Sequence, residues 1–425
     1  MVVLGHVELT CPVKLYSERG IMQLDPKILG QRLSDARKAR GVTQDDAAKH
    51  IGCSRPTLIA IEKGNRCPKS EEIVALAELY SKTVNEIVRP GEPLADLQPH
   101  LRAVAHDMKA DESETAQAIS ALQKFAEDYN RLEKLLGVKL RMNYPQEVEL
   151  GSHVDVAALA EDEAVKERQR LGLGDQPVIH LRSLLEVEVG LRIIYEDLPS
   201  RIAGMFAFSR DFGGVVAVNR KHPPERRRAT LLHEYGHLIT DRFKPGIDYI
   251  AYPGRKPVNE RFAEAFSMAF LMPATSIRRR FNQIVNDRND FNISDLCRLA
   301  HLYFVSVEAM AIRLETLGLI PKGVRDYLKE SRFEVRRANE LLSLQQNPVT
   351  DERFPDRYVF LAVHAFDRGE LSEGELAAIL RCDRVSTREI VEKRLSTTGD
   401  VSDDGQVRPM DFESHSNESL LKTLA

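Results

Sequence analysis

Between residues 28 and 88 the apolar positions come in short bursts at helical spacing, each closed by a turn or capping residue. "ILGQRLSDARKAR" runs into Gly41, Thr43 can cap "TQDDAAKHI", and Gly52 turns the chain. Ser54 can cap "SRPTLIAIEKG", with Pro56 in its first turn and Gly64 at its end, before "SEEIVALAELY" and "TVNEIVR". Small polar caps bond the free amides at a helix start, and glycine tolerates the left-handed backbone at a helix end. The punctuation therefore predicts five short helices in a helix-turn-helix order. From Asp96 to Gly137 the spacing predicts a longer helix whose stripe is Leu122, Phe125, Tyr129, Leu132 and Leu136. That stripe suits packing on the next domain or a dimer contact. "MNYPQEVELGSHVD" breaks the pattern and reads as the linker to a second domain.

Further on, "GGVVAVN" is a β-branched run that predicts a strand, with its edge open to an extended peptide. "RKHPPERRR" reads as a loop, and "RRATLLHEYGHLITDRF" as an amphipathic helix with Leu231, Leu232, Leu238 and Ile239 turned inward. "PVNERFAEAFSMAFLMP" carries a second stripe of Phe262, Phe266, Ala269 and Phe270. Two or three helices follow from Phe354, and beyond Thr397 the chain is acidic with too few apolar residues to pack.

Composition changes this picture in three places. At 425 residues the chain has room for two or three domains. The net charge of -4 hides an asymmetry, since Gly30 to Lys69 holds nine Lys and Arg against four Asp and Glu. A local excess of +5 suits a nucleic-acid partner. Cys11, Cys53, Cys67, Cys297 and Cys382 are scattered, with no CxxC pair, so neither a disulfide framework nor a thiolate zinc site is expected. No apolar run reaches the roughly 18 residues of a membrane span, and the start lacks the order of a signal peptide. A cytoplasmic location is expected, with residues 1–21 as a flexible arm.

Chemistry concentrates in "HEYGH". His233 and His237 stand one helical turn apart, so both ring nitrogens can reach one zinc ion, and Glu234 can face the metal's water as an acid and base. Glu260, 23 residues after His237, offers a carboxylate as third ligand. Glu264, one turn further, could accept a hydrogen bond from a ligand histidine and fix its tautomer. Two nitrogens and a carboxylate suit zinc, with manganese able to replace it in vitro. His50, His106, His180, His222, His301 and His364 have no partner at ligand spacing. The runs Arg226–Arg228 and Arg278–Arg280 read as solvated helix faces, and Tyr195 and Tyr235 as structural phenols.

"TQDDAAKHIGCSRPTLIAIEKGNRCP" resembles the XRE-type helix-turn-helix family. The resemblance implies that the third helix lies in the major groove of a double-stranded operator. Gln44 would then bond a phosphate, while Ser54, Arg55 and Thr57 face bases. Arg55 is the prime base reader, because a guanidinium can bond both acceptors of one guanine edge. Arg37 and Glu62 match the pair that ties the first helix to the third. Pro56 and Ala60 stand where some relatives carry polar base contacts, so specificity rests on few residues. Such repressors act as dimers, and a homodimer is expected.

"LLEVEVGLRIIYEDLP", "IAGMFAFSRDFGGVVAVNRKHPPERRRATLLHEYGH" and "ERFAEAFSMAFLMP" resemble the ImmA/IrrE metallopeptidase domain. The family's third ligand lies thirteen residues before the proline of "LMP", which is Glu260. The resemblance implies a zinc endopeptidase that cleaves a specific protein, an XRE-type repressor or antitoxin or its own interdomain segment, in a stress or mobile-element response. The competing reading is a transcription factor whose metal domain senses a ligand or partner without proteolysis.

The expected fold is mainly α with a small β-sheet. A flexible arm over 1–21 precedes a five-helix XRE-type domain over 22–90 and a helical linker over 91–150. A zincin-like peptidase domain follows over 151–325, then a helical C-terminal domain over 326–396 and a disordered acidic tail over 397–425.

Overall fold

The computed structural model describes residues 14–17, 20–23, 25–80, 84–88, 112–151, 154–244, 246–249, 256–344, 352–395, 400–401 and 407–408. Most of the expected arm, the expected tail and residues 91–111 fall outside these. Within the arm, Lys14–Ser17 pairs antiparallel with Gly20–Gln23, and within the tail Asp400–Val401 pairs with Val407–Arg408. The chain divides into two compact units, Met1–Pro99 and His100–Ala425. No helix among the described residues is long and apolar enough to cross a membrane.

In the first unit, five short helices span Pro26–Ala39, Gln44–His50, Arg55–Glu62, Ser70–Leu79 and Val84–Val88. The caps fall where the sequence puts them: Thr43 accepts from the Asp46 amide and Ser54 from the Thr57 amide. Leu29, Leu33, Leu58, Ile61, Ile73 and Leu76 close around a core from which water is excluded. The first and third helices cross at close range because Gly30 has no side chain. A Cβ there would overlap the Ile61 carbonyl oxygen and stand 2.7 Å from that of Glu62. Gly64, at φ +72°, turns the chain out of the third helix against the backbone of Lys27.

The second unit is built on a four-stranded sheet in the order Arg192–Glu196, Gly213–Asn219, Ile202–Ser209, Gly246–Tyr249. The first pair is parallel and the other two are antiparallel. Gly213–Asn219, the strand expected to offer an open edge, is therefore interior and paired on both sides. Every residue of it is buried, as its unbroken apolar run requires. The helix Pro224–Thr240, called here the metal helix, packs between this sheet and the helix Val258–Leu271. Leu231, Leu232, Leu238, Phe262, Phe266 and Phe270 of these two helices share one core with Ile193 and Val216 of the sheet.

The stretch expected to be a linker is tied down. Asn143 N–H donates to the Val189 carbonyl, Val148 N–H to the Ile239 carbonyl, and the Tyr144 hydroxyl accepts from Gly214 N–H. The helix Glu112–Leu136 buries Leu122, Phe125, Tyr129 and Leu132 of its predicted stripe, packing in part on the C-terminal extension of the same chain, while Leu136 is half-buried. Phe125 and Tyr129 meet the Tyr358 ring at 5.1 and 5.3 Å between centroids. Buried carboxylates join these layers: Glu133 pairs with Arg192 and Arg357, and Glu196 with Arg353 and Arg381. Breaking a buried pair of this kind strands a charge and costs about 3–5 kcal/mol.

Candidate metal centre and DNA-reading helix

The metal helix starts at Pro224, whose ring supplies the backbone angle of a first helical position, and every residue from Thr230 to Thr240 is buried. A helix so enclosed can hold polar side chains only where they meet partners. His233 and His237 meet each other and Glu260. Their Nε2 atoms stand 3.1 Å apart, with the Glu260 oxygens 3.2 Å from His233 and 3.3 Å from His237. Among the described residues these three form the cluster able to hold a metal ion. The separations fit the group: bonds of about 2.0–2.1 Å to a tetrahedral ion place neighbouring donors about 3.3 Å apart. Burial would raise the Glu260 carboxyl, but the hydrogen bonds and charge of the two histidines outweigh it and hold the group below the usual carboxylate range.

Two close approaches set this geometry. Gly236 faces the helix Val258–Leu271, where a Cβ would stand 2.8 Å from the Ala263 Cα. The Ser267 hydroxyl donates to the Ala229 carbonyl along the same contact line at 2.8 Å. On the sheet side, a Cβ on Gly204 would collide with Glu234 Oε1 and stand 2.8 Å from Thr230 Cγ2. Glu234 is therefore fully buried beside the ligands, pressed against a strand that has a gap shaped to it. Nothing in the spacing of the sequence marks Gly204, Gly236 or Ala263, apart from their small size within apolar runs.

Several expectations are corrected. Glu264 does not support a ligand histidine; it is exposed and pairs with Lys256 at 2.9 Å. The contact line of its helix runs through Glu260, Ala263 and Ser267, and Glu264 lies about 100° round from Ala263. Arg227 and Arg228 are buried, not a solvated face: Arg227 stacks on the Tyr195 ring, and Arg228 donates to the carbonyls of Val178 and Ile179. The Tyr235 hydroxyl donates to Glu167, and burial pushes the phenol well above its ordinary range. Tyr195 lies between the guanidinium groups of Arg182 and Arg227. Both tyrosines are structural, as expected. Cys53, Cys297 and Cys382 are free thiols, whereas Cys67 is disulfide-bonded, although the sequence led to no expectation of a disulfide framework.

In the first unit, Arg37 and Glu62 form the buried pair the sequence implied, with Nε to Oε1 at 2.6 Å and Nη2 to Oε2 at 3.2 Å. Gln44 donates one amide hydrogen to Glu62 at 2.8 Å, which fixes its side chain at the start of the second helix. Ser54 and Thr57 hydroxyls bond each other at 2.8 Å. Arg55 is exposed at the start of the third helix, with Asp45 its nearest counter-charge at 3.7 Å. At that exposure and distance the pair holds Arg55 weakly.

Comparison with known proteins follows the same division. Residues 28–87 match the model of the helix-turn-helix domain, and residues 187–315 that of the IrrE N-terminal-like domain. The cryptic phage CTXphi transcriptional repressor RstR of Vibrio cholerae is 32% identical over 69 residues, 16% of this chain and 62% of that protein. The HTH-type transcriptional regulator YazB of Bacillus subtilis is 34% identical over 67 residues, 16% of this chain and 97% of that protein. The chain thus spans somewhat under two thirds of the first relative and nearly all of the second. The solved structure of ComR from Streptococcus suis aligns over 88% of this chain and 95% of its own, at 10% identity and a TM-score of 0.15, too low to carry an argument. The chain belongs to the helix-turn-helix transcriptional regulators, and it joins that DNA-binding domain to an IrrE N-terminal-like domain in which two buried histidines meet a half-buried glutamate.

Proposed function

We infer that this regulator is also a zinc endopeptidase of the cytoplasm that cleaves a specific protein, an XRE-type repressor or antitoxin, in a stress or mobile-element response. The observation that carries the reading is the convergence of His233, His237 and Glu260 with Glu234 buried at their side. A zinc ion held by the three would supply Lewis acidity toward a peptide carbonyl and toward water. Manganese could take its place in vitro. Glu234 takes a proton from the attacking water and delivers it to the leaving amine, a transfer its carboxylate can make without leaving the helix. The gap at Gly204 holds that carboxylate in place, and the enclosed helix excludes bulk water. A separate substrate is favoured over the chain's own residues 137–155, because that segment's backbone is bonded to Val189 and to Ile239 of the metal helix, and its Tyr144 hydroxyl to Gly214 of the sheet. On DNA, Arg55, Ser54 and Thr57 read bases and Gln44 offers its second amide hydrogen to a phosphate, with two copies of the chain on one operator.

The decisive variant is Glu234→Gln, which keeps shape and ligands while removing the base. Zinc content by elemental analysis and operator binding should stay near wild type, while cleavage of the protein substrate falls about a hundredfold to ten-thousandfold. His233→Ala together with His237→Ala should abolish zinc content. If Glu234→Gln leaves regulation in the cell intact while His233→Ala abolishes it, the domain senses through its metal and does not cut.

A further inference from the structure

An extended polypeptide that brings a carbonyl to Glu234 has one natural support, the strand Ile202–Ser209, since its Gly204 lies against the Glu234 carboxylate. Pairing along a strand edge holds a peptide through its main chain without side-chain specificity. One edge of this strand is taken by Gly213–Asn219. The other is taken by the chain's own Gly246–Tyr249, with Phe206 opposite Gly246, Met205 opposite Ile247, Gly204 opposite Asp248 and Ile202 opposite Tyr249. The backbone position across from the glycine that touches Glu234 is thus filled from within.

This covering strand is built to be weak. It has four residues, it is the outermost strand of its sheet, and its ladder is interrupted between Ile202 and Gly204. Ile247, 6% exposed, provides the burial that holds it. A short edge strand with a broken ladder sits at the low end of local stability.

We propose that Gly246–Tyr249 is an intramolecular blocking strand that occupies the place of an extended substrate segment, and that a peptide reaches the metal centre only after this strand leaves. The proposal rests on the peptidase reading, so its test must separate the two. Zinc-loaded full-length protein is measured in three forms: wild type, Ile247→Asp, and Met205→Cys with Ile247→Cys at paired positions. The probes are a fluorescein-labelled peptide hydroxamate for binding and β-casein for cleavage. Ile247→Asp should bind the hydroxamate at least about tenfold more tightly than wild type, as a freed edge implies. The double-cysteine form should bind when reduced and fail to bind when oxidised, with unchanged zinc content. Comparing its two redox states removes any effect of truncating Met205. Equal or weaker binding by Ile247→Asp, no difference between the redox states, or no binding by any form overturns the blocking strand. If the binding pattern holds while no form cleaves either casein or an XRE-type repressor or antitoxin offered as substrate, the blocking strand stands and the peptidase reading fails.

Discussion

Gly236 and Ala263 lie so close that a Cβ on the glycine would stand 2.8 Å from the Ala263 Cα and 3.0 Å from its Cβ. That approach sets the separation of the two helices carrying His233, His237 and Glu260, and hence the 3.2 and 3.3 Å between Glu260 and the histidines. Gly236→Ala should push the helices apart. Helix propensity returns up to about 1 kcal/mol, but overpacking costs about 1–3 kcal/mol, so a modest fall in melting temperature is expected. The sharper effect is on zinc affinity, measured by competition with a chromophoric chelator. Ala263→Gly in the same chain should restore it; affinity unchanged in Gly236→Ala would show that the spacing is set elsewhere.

Gly204→Ala acts on the opposite side of the site. The added methyl displaces the Glu234 carboxylate, the more yielding partner, and leaves the three ligands in place. Zinc content should stay at wild-type level while cleavage of the specific protein substrate falls about a hundredfold, the scale of a misplaced catalytic group. A loss of zinc instead would mean that the strand supports the ligands and not the base.

Arg55 stands exposed at the start of the third helix, with Asp45 at 3.7 Å as its counter-charge among the described residues. Arg55→Ala should weaken binding of the full-length protein to its operator by about 1–3 kcal/mol while affecting random DNA little. Equal loss on both, in a salt titration where phosphate contacts set the slope, would make Arg55 a backbone contact.

Glu186 is pushed up to about 6 by burial, against the opposing pull of the Tyr129 hydroxyl and the charges of Arg182 and Arg357. A carboxyl whose folded pKa exceeds its unfolded value near 4.5 binds its proton more tightly when folded. Its contribution to stability is therefore present below about 4.5 and lost as pH rises through about 6. Relative to wild type, Glu186→Gln should gain about 2 kcal/mol between pH 4.5 and 7 in urea unfolding. A difference that does not change with pH would place the titration elsewhere.

The sequence by itself determined what is local. Thr43 and Ser54 cap the helices they were expected to cap, because a cap is decided within three residues of chain. His233 and His237 share a face because one helical turn separates them, and the amphipathic runs announce which faces are buried. The pairing of Arg37 with Glu62 and the place of Glu260 beside the two histidines were legible through resemblance to known families. What only the tertiary structure decided depends on which surfaces meet. Strand order turned Gly213–Asn219 from an expected edge into an interior strand, and periodicity cannot reveal order because paired and unpaired strands alternate alike. Arg227 and Arg228 read as solvated charge, yet carbonyls and an aromatic ring brought in from elsewhere make their burial possible. Glu264 shares a helix with Glu260 but lies off its contact line, and the position of that line was fixed by Gly236 meeting Ala263, two small residues whose role exists only once the helices pack.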